Sequence, residues 1–360
     1  MKIALLAPSL TAHDAVGTDV LEMGAALRRA GHEVRLYADH SQGIVEAVHA
    51  PPALDRWLGA RDLVVYHYSI GWPRVEAQLA TLNCRRVLRY HNITPPEFFQ
   101  GWSPEHVRSC AAGRASLTTL ATLGFDLALA CSAYNLAELV AAGLPAGRGA
   151  VLAPFHRCEA LLDRPADTAL LDRYGDGRRN VLMLGRVAPN KGHAALFDAF
   201  ACYRRHYAED ARLLVVGKHD RRLARYSRHL RERCAALGIA DHVHFLDNVD
   251  DARLKSCWLV ADALLMLSEH EGFCVPLVEA MALGVPVVAR DRSAIGETLG
   301  GAGLLWHDSD PRFYAASLAR LARDPAAAET LRLAGRERYR REFAPDVLTA
   351  RLLTALAAFA

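Results

Sequence analysis

The sequence predicts an α/β protein built from two Rossmann-like domains that face a central cleft. Three observations lead there. Short apolar, β-rich runs alternate with helix-length amphipathic segments along the whole chain, the pattern of parallel sheets covered by helices on both faces. The 360 residues exceed what one hydrophobic core ordinarily accommodates. The alternation also loosens once, between about Val151 and Asn180, into Pro154, Pro165 and the polar turn GDGRRN before it resumes. The expected division is residues 1–165, residues 166–342 and a final helical segment, 343–360.

In the first half, strands are expected at Lys2 to Ala7, Glu33 to Tyr37, Leu63 to Tyr66, Arg86 to Tyr90 and Leu127 to Ala130. A helix from Asp19 to Ala30 has Gly31 as its C-terminal stop. MKIALLAPSL lacks a long apolar region with a small-residue cleavage site and reads as a first strand rather than a secretion signal. The weakly charged stretch Leu117 to Leu136 contains Gly124 and Asp126; a charge at mid-bilayer is costly, so helix, turn and strand are expected instead of a membrane span. In the second half, strands are expected at NVLMLG, Leu213 to Val216, His242 to Leu246, Ala263 to Leu267, Val285 to Ala289 and Gly303 to Leu305. After Pro311 only helical patterns remain, the last from Pro345 to Phe359.

A hydrophobic fraction of 52% with 23% charged residues describes a globular chain, and a net charge of +3 gives no reason to expect a nucleic-acid partner. Arg221, Arg222, Arg225, Arg228, Arg231 and Arg233 crowd one helical segment, read as a solvated face with peripheral contact to anionic lipid as the alternative. Eight cysteines without close pairs fit reduced thiols in a cytoplasmic protein. His242 and His244 could share a strand face, but no third ligand is suggested, so no metal is expected there.

Ligands of parallel sheets bind at the carboxyl ends of the strands. One such end carries GRVAPNKG, where Gly185 lets the turn approach a ligand and Arg186 and Lys191 place two positive charges suited to a diphosphate. Another carries SEHEGFCVPLVEAMALGVPVVA, with Glu271 in a loop and Glu279, seven intervening residues later, in the first turns of a helix starting near Pro276. Unpaired amides and the positive dipole end of that helix can hold phosphate without a metal. Glu279 is then placed for vicinal ribose hydroxyls, while Glu271 and the amides of Phe273, Cys274 and Val275 meet a sugar. In RYHNITPPEFF, His91 directly follows a strand, again at a carboxyl end.

GRVAPNKG, LLVVG at Leu213 to Gly217, and EGFCVPLVEAMALGVPVVA with its paired glutamates resemble the retaining family-4 glycosyltransferases of GT-B architecture. The resemblance covers residues 180 to 342 and, loosely, the first half. It implies an acceptor-binding first domain, a donor-binding second domain and a last helix crossing back to the first. It implies that Arg186 and Lys191 hold the diphosphate of a nucleotide-sugar donor, that Glu279 binds ribose, that Glu271 faces the transferred sugar and that His91 contacts that sugar. Gly185, Gly217, Lys218, Gly272, Phe273, Cys274 and Val275 would line the donor. No Asp-x-Asp occurs where a metal-bound diphosphate would be expected, so transfer is expected to need no metal or cofactor. The His91 segment is similar to bacterial surface-polysaccharide mannosyltransferases, which points to GDP-mannose, with a UDP-sugar as the alternative, and to a polyprenyl-diphosphate-linked or polysaccharide acceptor at the inner membrane face.

One departure concerns the first loop, AHDAVGTD, which has only Gly17 where the family has two adjacent glycines. Asp14, Gly17 and Thr18 in this loop, and Asn92 after His91, are expected as acceptor or donor contacts; Ser132 and Asn135, in CSAYN, match a family pattern near the cleft, with a helix cap at Ser132 as the alternative. A nicotinamide-dependent oxidoreductase would suit two Rossmann-like halves, but no Gly-x-Gly-x-x-Gly follows the first strand. A non-catalytic sugar-nucleotide-binding module is the other alternative, opposed by the intact set Arg186, Lys191, Glu271 and Glu279.

Overall fold

The structure, a computed structural model, describes every residue except His13, Asn248 and Ala360. The chain divides into two compact units. One comprises Met1–Glu97, His106–Arg157 and Glu342–Ala360; the other comprises Phe98–Glu105 and Cys158–Arg341.

The first unit holds β1 (Lys2–Leu6), β2 (Ser9–Thr11), β3 (Glu33–Tyr37), β4 (His40–Gln42), β5 (Val48–His49), β6 (Leu63–Tyr68), β7 (Arg85–Tyr90), β8 (Leu127–Ala130) and β9 (Gly149–Val151). Seven of these form one sheet in the order β5-β3-β1-β6-β7-β8-β9, with β2 and β4 paired separately. Every neighbouring pair is parallel. Burial explains why these segments are strands: all six residues of β6, LVVYHY, are buried, as expected where helices cover both faces of a parallel sheet. β6 runs two residues past the expected Tyr66, so His67 becomes a sheet residue.

The helix Ala15–Arg29 starts earlier than Asp19, because the Asp14 side chain caps it by accepting the Gly17 amide at 2.6 Å. Residues 14–19 of the loop expected there are therefore a cap and the first turns of a helix. Gly17 serves close packing there, since a Cβ would lie 2.3 Å from the Thr11 carbonyl oxygen. Ser132 caps the helix Ala133–Ala141 by accepting the Asn135 amide. The helix Pro345–Leu356 belongs to this unit, buries Leu348, Leu352 and Leu356, and packs on Ala15–Arg29. Just before it, the Phe343 carbonyl lies 2.8 Å from His156 Nε2.

The second unit holds β10 (Asn180–Leu184), β11 (Arg212–Val216), β12 (Val243–Leu246), β13 (Ala263–Met266), β14 (Val287–Arg290) and β15 (Leu304–Trp306). Their order is β12-β11-β10-β13-β14-β15, again parallel throughout. The chain leaves β10 for β11 on one side and reaches β13 on the other. The loops after β10 and β13 are thus neighbours at the reversal of strand order, where such sheets bind ligands.

His242 lies in a short 3-10 turn before β12, so it does not share a strand face with His244. It sits 2.8 Å from Arg204 Nη2, while His244 packs edge-on to Tyr174. In the arginine-rich segment, Arg222 pairs with Asp220 and Glu105 and Arg233 with Asp198; Arg221, Arg225, Arg228 and Arg231 are exposed. Glu105 and Trp102, which packs edge-on against Tyr226, come from the 98–105 segment of the first half of the chain. Leu117 to Leu136 resolves into the end of the helix Pro104–Thr122, β8 and the helix Ala133–Ala141. Among the described residues, no helix is long and apolar enough to cross a membrane.

Candidate active site

In the second unit the loop after β10 begins at Gly185, with φ of 150°. It continues through a 3-10 turn, Pro189–Lys191, and ends at Gly192 in the left-handed region, φ 67°, where the helix His193–His206 starts. Only glycine fits position 192: a Cβ would stand 1.9 Å from the Leu267 carbonyl oxygen. Gly217 is confined in the same way, its Cβ position lying 1.9 Å from the Gly185 carbonyl oxygen. Buried Asn190 joins this loop to the one after β13, donating from Nδ2 to the His270 carbonyl at 3.1 Å while its own carbonyl accepts the Glu269 amide at 2.9 Å.

This joining brings Lys191 onto Glu271. Lys191 Nζ lies 2.7 and 2.9 Å from the two carboxylate oxygens, with side chains only 15% and 8% exposed. An ammonium has three N–H groups, so the grip on Glu271 leaves donor capacity for a further anion. Beyond Glu271 the loop is held from below: the Ser293 hydroxyl accepts the Glu271 amide at 2.7 Å, and Thr298 donates to the Phe273 carbonyl at 2.6 Å. Cys274 takes a left-handed conformation, φ 78°, at the N-cap of the helix Val275–Leu283, and no side chain caps that helix. Pro276 has no N–H and the Leu277 amide is used on the Cys274 carbonyl at 3.0 Å, so the Val275 amide and the positive dipole end are what this helix start offers to an anion.

Glu279 lies on this helix with its Oε2 buried and without a partner among the described residues. Burial, with a smaller push from Asp251, raises its carboxyl to about 7. An inaccessible carboxylate oxygen lacking a hydrogen bond is costly unless a ligand supplies one. Arg186 and Lys218 are exposed, and their side chains make no hydrogen bond or ion pair with any described residue.

The first unit carries a second group. Asp19, His67 and Arg89 are fully buried, and the His91 side chain is 6% exposed. Arg89 grips Asp19 through Nε to Oδ2 at 2.9 Å and Nη2 to Oδ1 at 3.2 Å; the Phe155 amide adds a bond to Oδ1 at 2.6 Å. His67 Nδ1 lies 3.0 Å from His91 Nε2, and Asp19 Oδ2 lies 3.5 Å from the former and 3.4 Å from the latter. His91 Nδ1 faces Cys131 Sγ at 3.7 Å. Burial alone would raise the Asp19 carboxyl, but Arg89 and the hydrogen bond from His67 hold it far below the usual carboxylate range. Burial outweighs the attraction of Asp19 at both imidazoles, so both are held neutral.

Of the residues expected from sequence, Gly185, Arg186, Lys191, Gly217, Lys218, Glu271, Gly272, Phe273, Cys274, Val275 and Glu279 lie in the second unit; His91, Asn92, Asp14, Gly17 and Thr18 lie in the first. Asn92, at φ 78°, spends its amide donor on Asn135 and Glu138, which fixes the turn after His91. Asp19, His67 and Arg89 were not singled out in the sequence. They come from different elements, and only the alternation of β6 and β7 hints that polar residues in apolar strands are meeting a partner.

Residues 173–338 match the family described as glycosyl transferases group 1. Over 366 residues the chain is 30% identical to the phosphatidyl-myo-inositol mannosyltransferase of Mycolicibacterium smegmatis, covering 90% of this chain and 85% of that protein. It is also 30% identical over 240 residues to the GDP-mannose-dependent alpha-(1-6)-phosphatidylinositol monomannoside mannosyltransferase of Mycobacterium tuberculosis, a match spanning 64% of this chain and 61% of that one. Among solved structures, the sucrose-phosphate synthase of Thermosynechococcus elongatus superposes with a TM-score of 0.78 at 20% identity, covering all of both chains. Anabaena HepE in complex with UDP-glucose gives 0.78 at 17% identity, covering 99% of this chain and 100% of that one. Two parallel-sheet domains of this kind, matching the solved glycosyltransferases over the whole chain, are the GT-B architecture. The chain belongs to the group 1 glycosyltransferases and is a hexosyltransferase.

Proposed function

We propose that the chain transfers mannose from GDP-mannose, with retention of configuration and without a metal, to a lipid-linked or polysaccharide acceptor. The observation that carries this reading is the Lys191–Glu271 pair held between the loops after β10 and β13. It puts a cation beside the uncapped start of the helix Val275–Leu283, a charge arrangement suited to a diphosphate.

In this reading Lys191, Arg186 and the helix amides stabilise the leaving diphosphate, and that electrostatic term dominates catalysis. Glu279 pairs its unsatisfied oxygen with the ribose, Glu271 faces the sugar, and His91 contacts the sugar. The names of the mycobacterial relatives favour mannose, GDP and an inositol-lipid acceptor. Peripheral attachment to the inner face of the membrane goes with such an acceptor, and the exposed arginines 221, 225, 228 and 231 are suited to it.

The test is transfer from radiolabelled GDP-mannose, with UDP-glucose in parallel, to a membrane extract, followed by NMR of the isolated product. Lipid-soluble label from GDP-mannose with the donor's anomeric configuration supports the reading. Transfer from UDP-glucose alone moves the donor to the UDP-sugars, and an inverted linkage removes the retaining mechanism.

A further inference from the structure

Asp19, His67, Arg89 and Cys131 surround His91 from the helix Ala15–Arg29, from β6, from β7 and from the residue after β8, and together they constrain where its proton sits. We propose that His67, backed by Asp19 and Arg89, is a positioning residue that fixes His91 in one orientation and as the tautomer protonated on Nδ1. The proposal rests on the reading of His91 as a sugar contact.

The hydrogen bond between His67 Nδ1 and His91 Nε2, 3.0 Å long, needs one proton between two nitrogens. Two neutral arrangements satisfy it. If His91 Nε2 carries the proton, His67 Nδ1 accepts and the His67 proton must sit on Nε2, which is buried and has no partner among the described residues. An orphaned buried N–H is among the rarest features of folded proteins, because it forfeits a donor that water would have satisfied. If His67 Nδ1 carries the proton instead, only a lone pair is left without a partner, and the donor points between His91 Nε2 and Asp19 Oδ2. The second arrangement is the less costly. Its consequence is a proton on His91 Nδ1.

Among the described residues that nitrogen faces the Cys131 sulfur at 3.7 Å, and a thiol sulfur is a weak acceptor. His91 is thereby presented as a neutral hydrogen-bond donor, oriented from behind.

Asp19, His67 and His91 could in principle ligate a cation, since their ligand atoms lie within 4.8 Å of one another. The charge count opposes it. Arg89 already neutralises Asp19, so a divalent ion would leave two uncompensated positive charges in a site from which solvent is excluded.

The experiment has a spectroscopic and a kinetic arm. The full chain, labelled with 15N histidine, is recorded at pH 7 by long-range proton–nitrogen correlation, with signals assigned from their loss in His67→Asn and His91→Asn. Both rings are expected neutral and protonated on Nδ1. An imidazolium form of either ring, His91 protonated on Nε2, or a pattern that changes when EDTA strips a stoichiometric metal would overturn the proposal.

In the kinetic arm, transfer from GDP-mannose to membrane extract is measured. His67→Leu should lower kcat on the order of 10-fold or more without raising the donor KM, and its acid limb should move to higher pH as His91 loses a neighbour that disfavours its charge. His67→Asn, whose amide places an N–H near the Nδ1 position, should restore most of the loss. The double variant with His91→Ala should be no worse than His91→Ala alone. If His91→Ala is fully active, the sugar-contact reading fails and the proposal with it. If His91→Ala is inactive while His67→Leu matches the parent, the reading stands and the proposal is wrong. Should His67→Leu not fold, the tautomers of the unmodified chain decide.

Discussion

Replacing Gly192 by Ala perturbs the loop after β10 without removing any functional group. Two costs follow from the geometry. A left-handed φ of 67° costs a non-glycine residue about 1 to 2 kcal/mol. The new Cβ would also lie 1.9 Å from the Leu267 carbonyl oxygen, where contacts under 3.0 Å are essentially never seen, so the backbone must give way. Overpacking of that kind costs roughly 1 to 3 kcal/mol. The expected sum, on the order of 2 to 5 kcal/mol, should lower Tm by roughly 5 to 15 °C for a unit of this size. Lys191 is the adjacent residue, and a shift of about 1 Å in a catalytic group costs on the order of 10²-fold in rate. Gly238→Ala is the control, for it shares a φ of 67° with nothing within 4 Å of its Cβ position. It should lose about 1 to 2 kcal/mol from strain alone and keep its turnover. Differential scanning calorimetry and initial rates on both variants separate the effects. If Gly192→Ala behaves like Gly238→Ala in both, the close approach of the two loops is not what the site depends on.

Lys191→Ala should lower kcat on the order of 10²-fold, because the charge on the diphosphate grows as the glycosidic bond breaks; an effect confined to the donor KM would refute leaving-group stabilisation. The same change strips a buried carboxylate, Glu271, of its partner and should cost about 3 to 5 kcal/mol of stability, read from denaturant titration. Glu279 titrates near 7 in the folded chain against an ordinary 4.5, so the folded state holds a proton that the unfolded chain releases between those values. Its contribution to stability therefore falls as pH rises through that window, and Glu279→Gln should melt higher than the parent above pH 7, by on the order of 2 to 3 kcal/mol, with the gain gone below pH 4.5. Calorimetry across pH checks the sign, and nucleotide titration should show weaker donor binding in the same variant. Turnover is expected to persist in excess EDTA; activity abolished by EDTA and restored only by magnesium or manganese would overturn metal-free transfer.

What the sequence made legible follows from the range of the forces involved. The strands and the loops GRVAPNKG and EGFCV could be read because strand burial and helix starts are set by neighbours a few residues away. The helix start at Ala15 was missed because Gly17 looks like a loop residue, while Asp14, the cap that overrides it, has no downstream acidic partner to advertise the role. His67 was read past for a different reason. Its partners Asp19 and His91 are brought to it by the order β3-β1-β6-β7, and pairing across a parallel sheet is invisible to local pattern. The 98–105 segment is a third case: Trp102 and Glu105 lie in the first half of the chain but find Tyr226 and Arg222.

The return of Glu342–Ala360 to the first unit sets an order of events during synthesis. Residues 1–157 emerge first, yet Leu348, Leu352 and Leu356, which bury themselves on the helix Ala15–Arg29 side of that unit, are made only after the entire stretch Cys158–Arg341. At ordinary elongation rates this leaves an apolar face uncovered for roughly 10 to 40 s, long compared with collapse of the chain around it. The nascent first unit therefore stays incomplete until the helix Pro345–Leu356 has left the ribosome.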